Sequence, residues 1–177
     1  EFEAYLKFFE RYYFVISLEE LLRRLQRGDD VTNCLVITFD DGYRDNSKVA
    51  APILARHGLP ACFFVVTDFV ESHVTPWWDA EQGIQSEWMS WSEVRSLRAQ
   101  GFEIGAHTMH HVDLGVMVGS DAVAEITGAK SRLERELCGP VNFFSYPYGR
   151  RTQMVEENRE AVHEAGFACC LSAFGGA

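Results

Sequence analysis

Asp40 and Asp41 stand side by side at the end of the apolar run Val36-Ile37-Thr38-Phe39, and Gly42 follows them. An apolar stretch that ends in adjacent acids and a glycine is how a buried strand delivers carboxylates to a site. Neighbouring strand residues point to opposite sides, so the two acids need not share one job. Carboxylates this close repel, and a cation or a shared proton relieves them. A cation site is available further on. His107 and His111 lie four residues apart in His107-Thr108-Met109-His110-His111, a spacing that puts both imidazoles on one side of a helical turn. With Asp41 they would form a facial set of two nitrogens and one carboxylate around a divalent ion, leaving positions open for water and substrate. Such an ion lowers the pKa of water towards about 7 and polarises a substrate oxygen. Asp40 would then take a proton from that water as general base. His110 faces elsewhere on such a turn and is read as a supporting or surface residue. The competing reading makes Asp40 a helix cap and leaves Asp41 solvated, but a cap needs one carboxylate and no histidines.

The elements that must position these residues alternate along the chain. Residues 33–39 read as a strand, and 45–57 as a helix carrying Val49, Ala50, Ile53 and Leu54 at helical spacing, with Pro52 marking an early turn or a kink. Residues 60–66 form a second strand, which completes a parallel βαβ unit. Residues 67–87 are irregular and contain Trp77-Trp78, either a substrate-stacking wall or packing over the core. Ser90 and Glu93 make a capping box before a helix stopped by Gly101, and the strand 102–106 runs straight into His107. Residues 121–137 form an amphipathic helix with Val123, Ile126, Ala129 and Leu133 inward. The strand 142–146 is broken by Pro147-Tyr148-Gly149; a helix over 153–164 and a strand over 167–171 follow. Upstream, residues 1–30 form a helical lead-in, with a Ser17–Glu20 capping box. The pattern is an α/β domain with a mainly parallel sheet, open or closed into a barrel. Asp40-Asp41, His107 and Tyr146–Gly149 all fall at carboxyl ends of strands, where sites in such folds collect.

The chain has 177 residues, 47% of them hydrophobic and 24% charged, which suits one soluble globular domain. A net charge of −10 argues against nucleic-acid or anionic-membrane surfaces. No apolar run approaches the roughly 20 residues that span a bilayer. A start at Glu1 and an end on Gly175-Gly176-Ala177 are expected to be cuts in a longer protein. The five cysteines, Cys34, Cys62, Cys138, Cys169 and Cys170, are odd in number and include an adjacent pair. They fit reduced core thiols better than a disulfide frame, and no Cys-x-x-Cys spacing offers a thiolate zinc site.

Taken together, the motifs resemble those of the polysaccharide deacetylase family, the NodB-type carbohydrate esterases. Thr38-Phe39-Asp40-Asp41-Gly42 is its first motif, His107-Thr108-Met109-His110-His111 its second, and Ser145-Tyr146-Pro147-Tyr148-Gly149 stands at its third. The resemblance covers residues 33–174. It implies an incomplete, distorted TIM-like (β/α) barrel with about seven mainly parallel strands. It also implies hydrolysis of N-acetyl, or O-acetyl, groups on a glycan containing N-acetylglucosamine, a carbon–nitrogen bond other than a peptide bond. Asp40 would be the base, and Asp41, His107 and His111 would hold Zn2+, with Co2+, Ni2+ or Mn2+ as alternatives. The Tyr148 N–H would serve the oxyanion. Pro147, Tyr148, Trp77 and Trp78 would contact substrate.

Two positions depart from that pattern. Ser145 stands where the family's third motif has an arginine that orients the aspartate, which leaves Arg150 and Arg151 as candidates for its role. The family's late Leu-x-His motif, which supplies the acid for the leaving amine, is not found before Ala177, and His163 reads as a surface residue on a helix. Two other readings therefore stand beside the deacetylase. One is a glycan-binding module that keeps the metal site, and the other is a metal-dependent amidase on a small acylated substrate. The family points to the cell envelope, the cysteines to a reducing interior.

Overall fold

Strand runs that are apolar on both faces call for cover on both faces, and the chain supplies it with helices between successive strands. The computed structural model describes residues 1–117 and 119–174; Gly175, Gly176 and Ala177 lie outside the described residues. In chain order it contains α1 (Phe2–Tyr12), β1 (Phe14–Val15), α2 (Leu18–Arg27), β2 (Cys34–Leu35) and β3 (Thr38–Phe39). A π-helical turn (Asn46–Ala50), α3 (Ala51–His57), β4 (Cys62–Val65), α4 (Trp77–Ala80), α5 (Trp91–Ala99) and β5 (Glu103–Ala106) come next. The last elements are α6 (Ser120–Leu137), β6 (Phe143–Ser145), a 3-10 turn (Arg151–Gln153), α7 (Glu156–Glu164) and β7 (Cys169–Leu171). Strands β3 to β7 pair in parallel and in chain order, a sheet that curls into a half-barrel. β1 and β2 form a separate parallel pair. The architecture is a distorted, incomplete TIM-like barrel.

The period of two along each strand divides the chain's side chains between inside and outside. Thr38, Cys62 and Glu103 are in register, as are Phe64 with Gly105, Phe143 with Cys169, and Ser145 with Leu171. These residues line the concave face, and α2 closes its lower end by packing Leu18, Leu21 and Leu22 on Cys62, Phe64 and Phe143. The convex face carries Phe63, Val65, Ile104, Ala106 and Phe144, packed under Leu54, Val94, Leu97, Ile126, Leu133 and Val162. The site lies at the other end of the concave face, where the strands finish.

Several sequence expectations shift in detail. The strand expected over 33–39 pairs with β1 through Cys34–Leu35 and with β4 only from Thr38, so one extended segment serves two sheets. The helix expected over 45–57 begins as a π turn; Pro52, which has no N–H to give, falls in the first turn of α3, and Val49 is turned out to solvent. Val123, expected inward on α6, is exposed. The Ser17 cap forms, but Glu20 turns to Arg23 and Arg24 instead of reaching back. The next two amides, of Leu18 (2.8 Å) and Glu19 (2.7 Å), are accepted by Glu103 from 85 and 84 residues away. All five cysteines are free thiols, but only Cys62 is buried, and Cys138 and Cys170 are exposed.

Candidate active site

Three strand ends bring the chemistry together. Asp40 and Asp41 follow β3, His107 follows β5, and Tyr146–Gly149 follow β6. The backbone there is strained. Of seven non-glycine residues with positive φ among the described residues, four belong to this cluster: Asp41 (73°), Thr108 (63°), His111 (56°) and Tyr148 (63°). Left-handed backbone costs a side-chain-bearing residue of order 1 kcal/mol or more, and such residues gather at functional sites. Gly149 shares the left-handed backbone (60°), and in addition a Cβ there would overlap the backbone of Ala173.

His107 is buried, and its Nδ1 lies 2.8 Å from the Ser145 carbonyl. A carbonyl only accepts, so Nδ1 carries the proton and Nε2 presents a lone pair. That Nε2 lies 3.3 Å from Asp41 Oδ1, and His111 Nε2 lies 3.2 Å from the same oxygen. Neither contact has hydrogen-bond direction, and Asp41 Oδ1 is a buried oxygen without a partner among the described residues. One donor atom from each of the three residues falls within 4.8 Å of the other two. Three convergent donors with an orphaned oxygen among them fit a divalent ion, and two nitrogens with one carboxylate suit zinc or a similar metal. The expected helical turn between the histidines is absent. Thr108 and His111 bend the loop through left-handed conformations, and that bend, rather than helical spacing, brings the imidazoles together.

Asp40 faces the cavity between these walls. The residue is open to the cavity, but partial desolvation of its carboxyl raises it above the ordinary range; His107 draws it down, Asp41 pushes it up, and His111 and the Ser145 hydroxyl draw it down. Asp41 goes the other way. Burial works to raise it, but the imidazoles of His107 and His111 hold it far below the ordinary range. The adjacent acids are thus split, one poised to take a proton and one held ionised. Among the described residues no arginine forms an ion pair with Asp40. Arg151 lies over the ring of Phe174 and Arg150 is exposed, and the third-motif side chain that meets the acid is the serine at position 145.

Aromatic side chains wall the cleft. Trp78 lies 4.7 Å and Tyr148 5.0 Å from the His111 ring, centroid to centroid. Trp77, by contrast, is 59% exposed and projects from the rim. Of the alternatives left open for this pair, Trp78 combines packing with a place in the wall. Both indoles, with Tyr148, Gly149 and Leu171, line a cavity of about 540 Å³ above Asp40 and Asp41, a size in the ordinary range for ligand sites. Pro147 is buried in the turn beneath and is not in the lining. The Tyr148 N–H has no acceptor among the described residues. His110 turns from the triad to Glu125 (2.6 Å) and Asp68 (3.0 Å). His163 is exposed on α7, and His107 and His111 are the only described histidines in the lining.

Sequence reasoning passed over the residues that brace the wall. Tyr43 gives its hydroxyl proton to Asp79 (2.8 Å) and accepts from Trp78 Nε1 (2.9 Å), while Ser86 also donates to Asp79 (2.7 Å). Asp79 is buried. Its signal was an acid directly after two tryptophans in an otherwise irregular loop, and Tyr43 directly follows Asp40-Asp41-Gly42.

Known proteins resemble this chain in sequence and in fold. YxkH of Bacillus subtilis, which carries the polysaccharide deacetylase name, is 26% identical over 171 residues, covering 94% of this chain and 55% of its own. The chitooligosaccharide deacetylase of Sinorhizobium fredii is 30% identical over 136 residues, covering 73% of this chain and 54% of its own. The chain therefore spans about half the length of the curated relatives it matches. Among solved structures, IcaB from Ammonifex degensii superposes with a TM-score of 0.80 at 19% identity, over 96% of this chain and 73% of that one. The family description "Polysaccharide deacetylase" matches residues 27–169, and the chain belongs to that family.

Proposed function

We propose that this chain is the body of a metal-dependent hydrolase that removes acetyl groups from a glycan containing N-acetylglucosamine. The observation that carries the reading is the convergence of Asp41, His107 and His111 within 4.8 Å, beside an Asp40 whose carboxyl is raised. Asp41, His107 and His111 would hold the ion, zinc before cobalt, nickel or manganese. Once bound, it would supply an acidified water and a polarised acetyl carbonyl.

The chain's own groups divide the remaining work. Asp40 is the general base and takes the proton of the attacking water. The Tyr148 amide, free of protein partners among the described residues, donates to the oxygen that gains charge. His107 is kept in its Nδ1–H form by the Ser145 carbonyl, which would leave its Nε2 lone pair free to hold the ion. Trp77, Trp78 and Tyr148 offer the aromatic faces on which a pyranose ring stacks. Residues 1–177 act as a single deacetylase domain, in which 1–30 are a helical lead-in whose α2 closes the barrel's lower end.

The test is acetate release from N-acetylglucosamine oligomers, with peptidoglycan and acetylated xylan fragments alongside. Zinc-loaded protein is expected to release acetate from the amino-sugar oligomers and to stop when chelated. Binding of the oligomers without acetate release would favour the binding module. Turnover of small acyl amides in preference to oligomers would favour the amidase.

A further inference from the structure

The loop His107–His111 joins two of the three metal-ligand candidates, yet it has no regular secondary structure and holds two left-handed residues. Such a loop keeps its shape only if its surroundings impose it. Helix α6 does so with two residues. Glu125 is buried, and one carboxylate oxygen accepts the amides of Met109 (2.9 Å) and His110 (3.0 Å). Its other oxygen lies 2.6 Å from His110 Nδ1. One turn on, a Cβ at position 128 would overlap the Met109 sulfur, so Gly128 leaves the slot that Met109 fills. Residues three apart share a helix face, so clamp and slot lie on one stripe of α6. From the opposite side, the amides of Thr67 and Asp68 donate to the carbonyls of Thr108 (3.3 Å) and Met109 (3.0 Å).

Met109 and His110 sit midway between His107 and His111, so whatever fixes their amides fixes the path that brings both Nε2 atoms to Asp41. A carboxylate bonded to two amides makes charge-assisted bonds, about twice as strong as neutral ones. Resting on the metal-site reading above, we propose that Glu125 is a positioning residue for the site, holding the histidine loop in its ligand geometry before any ion arrives. Glu125 touches neither ligand ring nor cavity; it acts through the backbone between the ligands.

Zinc titration of the metal-free protein tests this, with thermal unfolding measured alongside. Glu125→Ala is expected to weaken zinc binding by about 10- to 100-fold, the usual loss when an orienting partner of a metal site is removed. Glu125→Gln, which keeps an oxygen for the two amides, is expected to stay within about threefold of wild type. Leu133→Ala, a core truncation on the same helix, is expected to lower Tm and leave zinc affinity unchanged, which separates positioning from loss of stability. Hydrogen exchange on the metal-free wild type is a check that needs no variant: the Met109 and His110 amides are expected to be protected. Wild-type zinc affinity in Glu125→Ala, or free exchange of those amides, overturns this inference alone. A wild type that takes up no zinc overturns the metal site, and this inference with it.

Discussion

Asp40 and Asp41 are chemically identical neighbours that the fold drives apart. Asp40 meets a serine and a partly desolvated cavity, whereas Asp41 meets two imidazoles. Replacing the first with its amide keeps shape and removes basicity. Asp40→Asn is expected to lower kcat by about 10²- to 10⁴-fold while zinc content by elemental analysis stays at the wild-type level. His107→Ala should instead lose the metal itself, and unchanged zinc content would sink the ligand set. Trp77 is exposed on the rim and forms no part of the Tyr43–Asp79 brace. Trp77→Ala is therefore expected to raise KM for oligosaccharide by about three- to tenfold, with Tm unchanged. At this scale the sequence was most informative where residues are local to a strand end, as with Asp40, Asp41 and His107. It did not pair Asp79 with Tyr43, 36 residues away, or Glu125 with the amides at most 16 residues away, because a contact across the fold leaves no periodic trace.

Between elements, buried or half-buried carboxylates do much of the joining. Glu93 completes the capping box of α5 and pairs with Lys48 (2.7 Å) and Arg44 (3.1 Å) beside the π turn. Burial works to raise its pKa, but the Lys48, Ser90 and Arg44 contacts lower it from 4.5 to about 2. A depressed folded pKa makes the native state bind fewer protons than the unfolded chain between those values. Its contribution is full above 4.5 and is lost as pH falls towards 2. Glu93→Gln is expected to flatten that part of the acid-unfolding profile, measured by denaturant melts at stepped pH. Glu103 joins β5 to the start of α2, and Glu103→Ala should cost about 1–2 kcal/mol, the usual loss of an N-terminal cap. Helix existence was legible from apolar spacing and capping residues. The π start of α3, the exposed Val123 and the Glu103 cap were not, since each depends on what packs alongside.

Across the whole molecule, the half-barrel leaves its concave face open at one end, and α2 plugs the other. Ligand binding at that open end is linked to global stability. An ion that binds only the native state at about 100 times its Kd adds about 2.7 kcal/mol, equivalent to roughly 5–10 °C in a chain of this size. Zinc is expected to raise Tm by that order in wild type and not in His111→Ala, as calorimetry would show. No described helix is long and apolar enough to cross a membrane.

The sequence by itself determined the strand–helix alternation, the strand-end acids and the histidine pair, because burial periodicity and motif spacing are written in consecutive residues. It also determined the family, through three motifs in order. Only the tertiary structure decided which acid faces the imidazoles and that a left-handed loop, not a helical turn, carries His111 to Asp41. It also placed Ser145, rather than Arg150 or Arg151, beside Asp40. The physical reason is common to all of these. Side-chain direction at a strand end depends on backbone torsions past the last ladder bond, and those torsions are set by packing from distant segments such as α6.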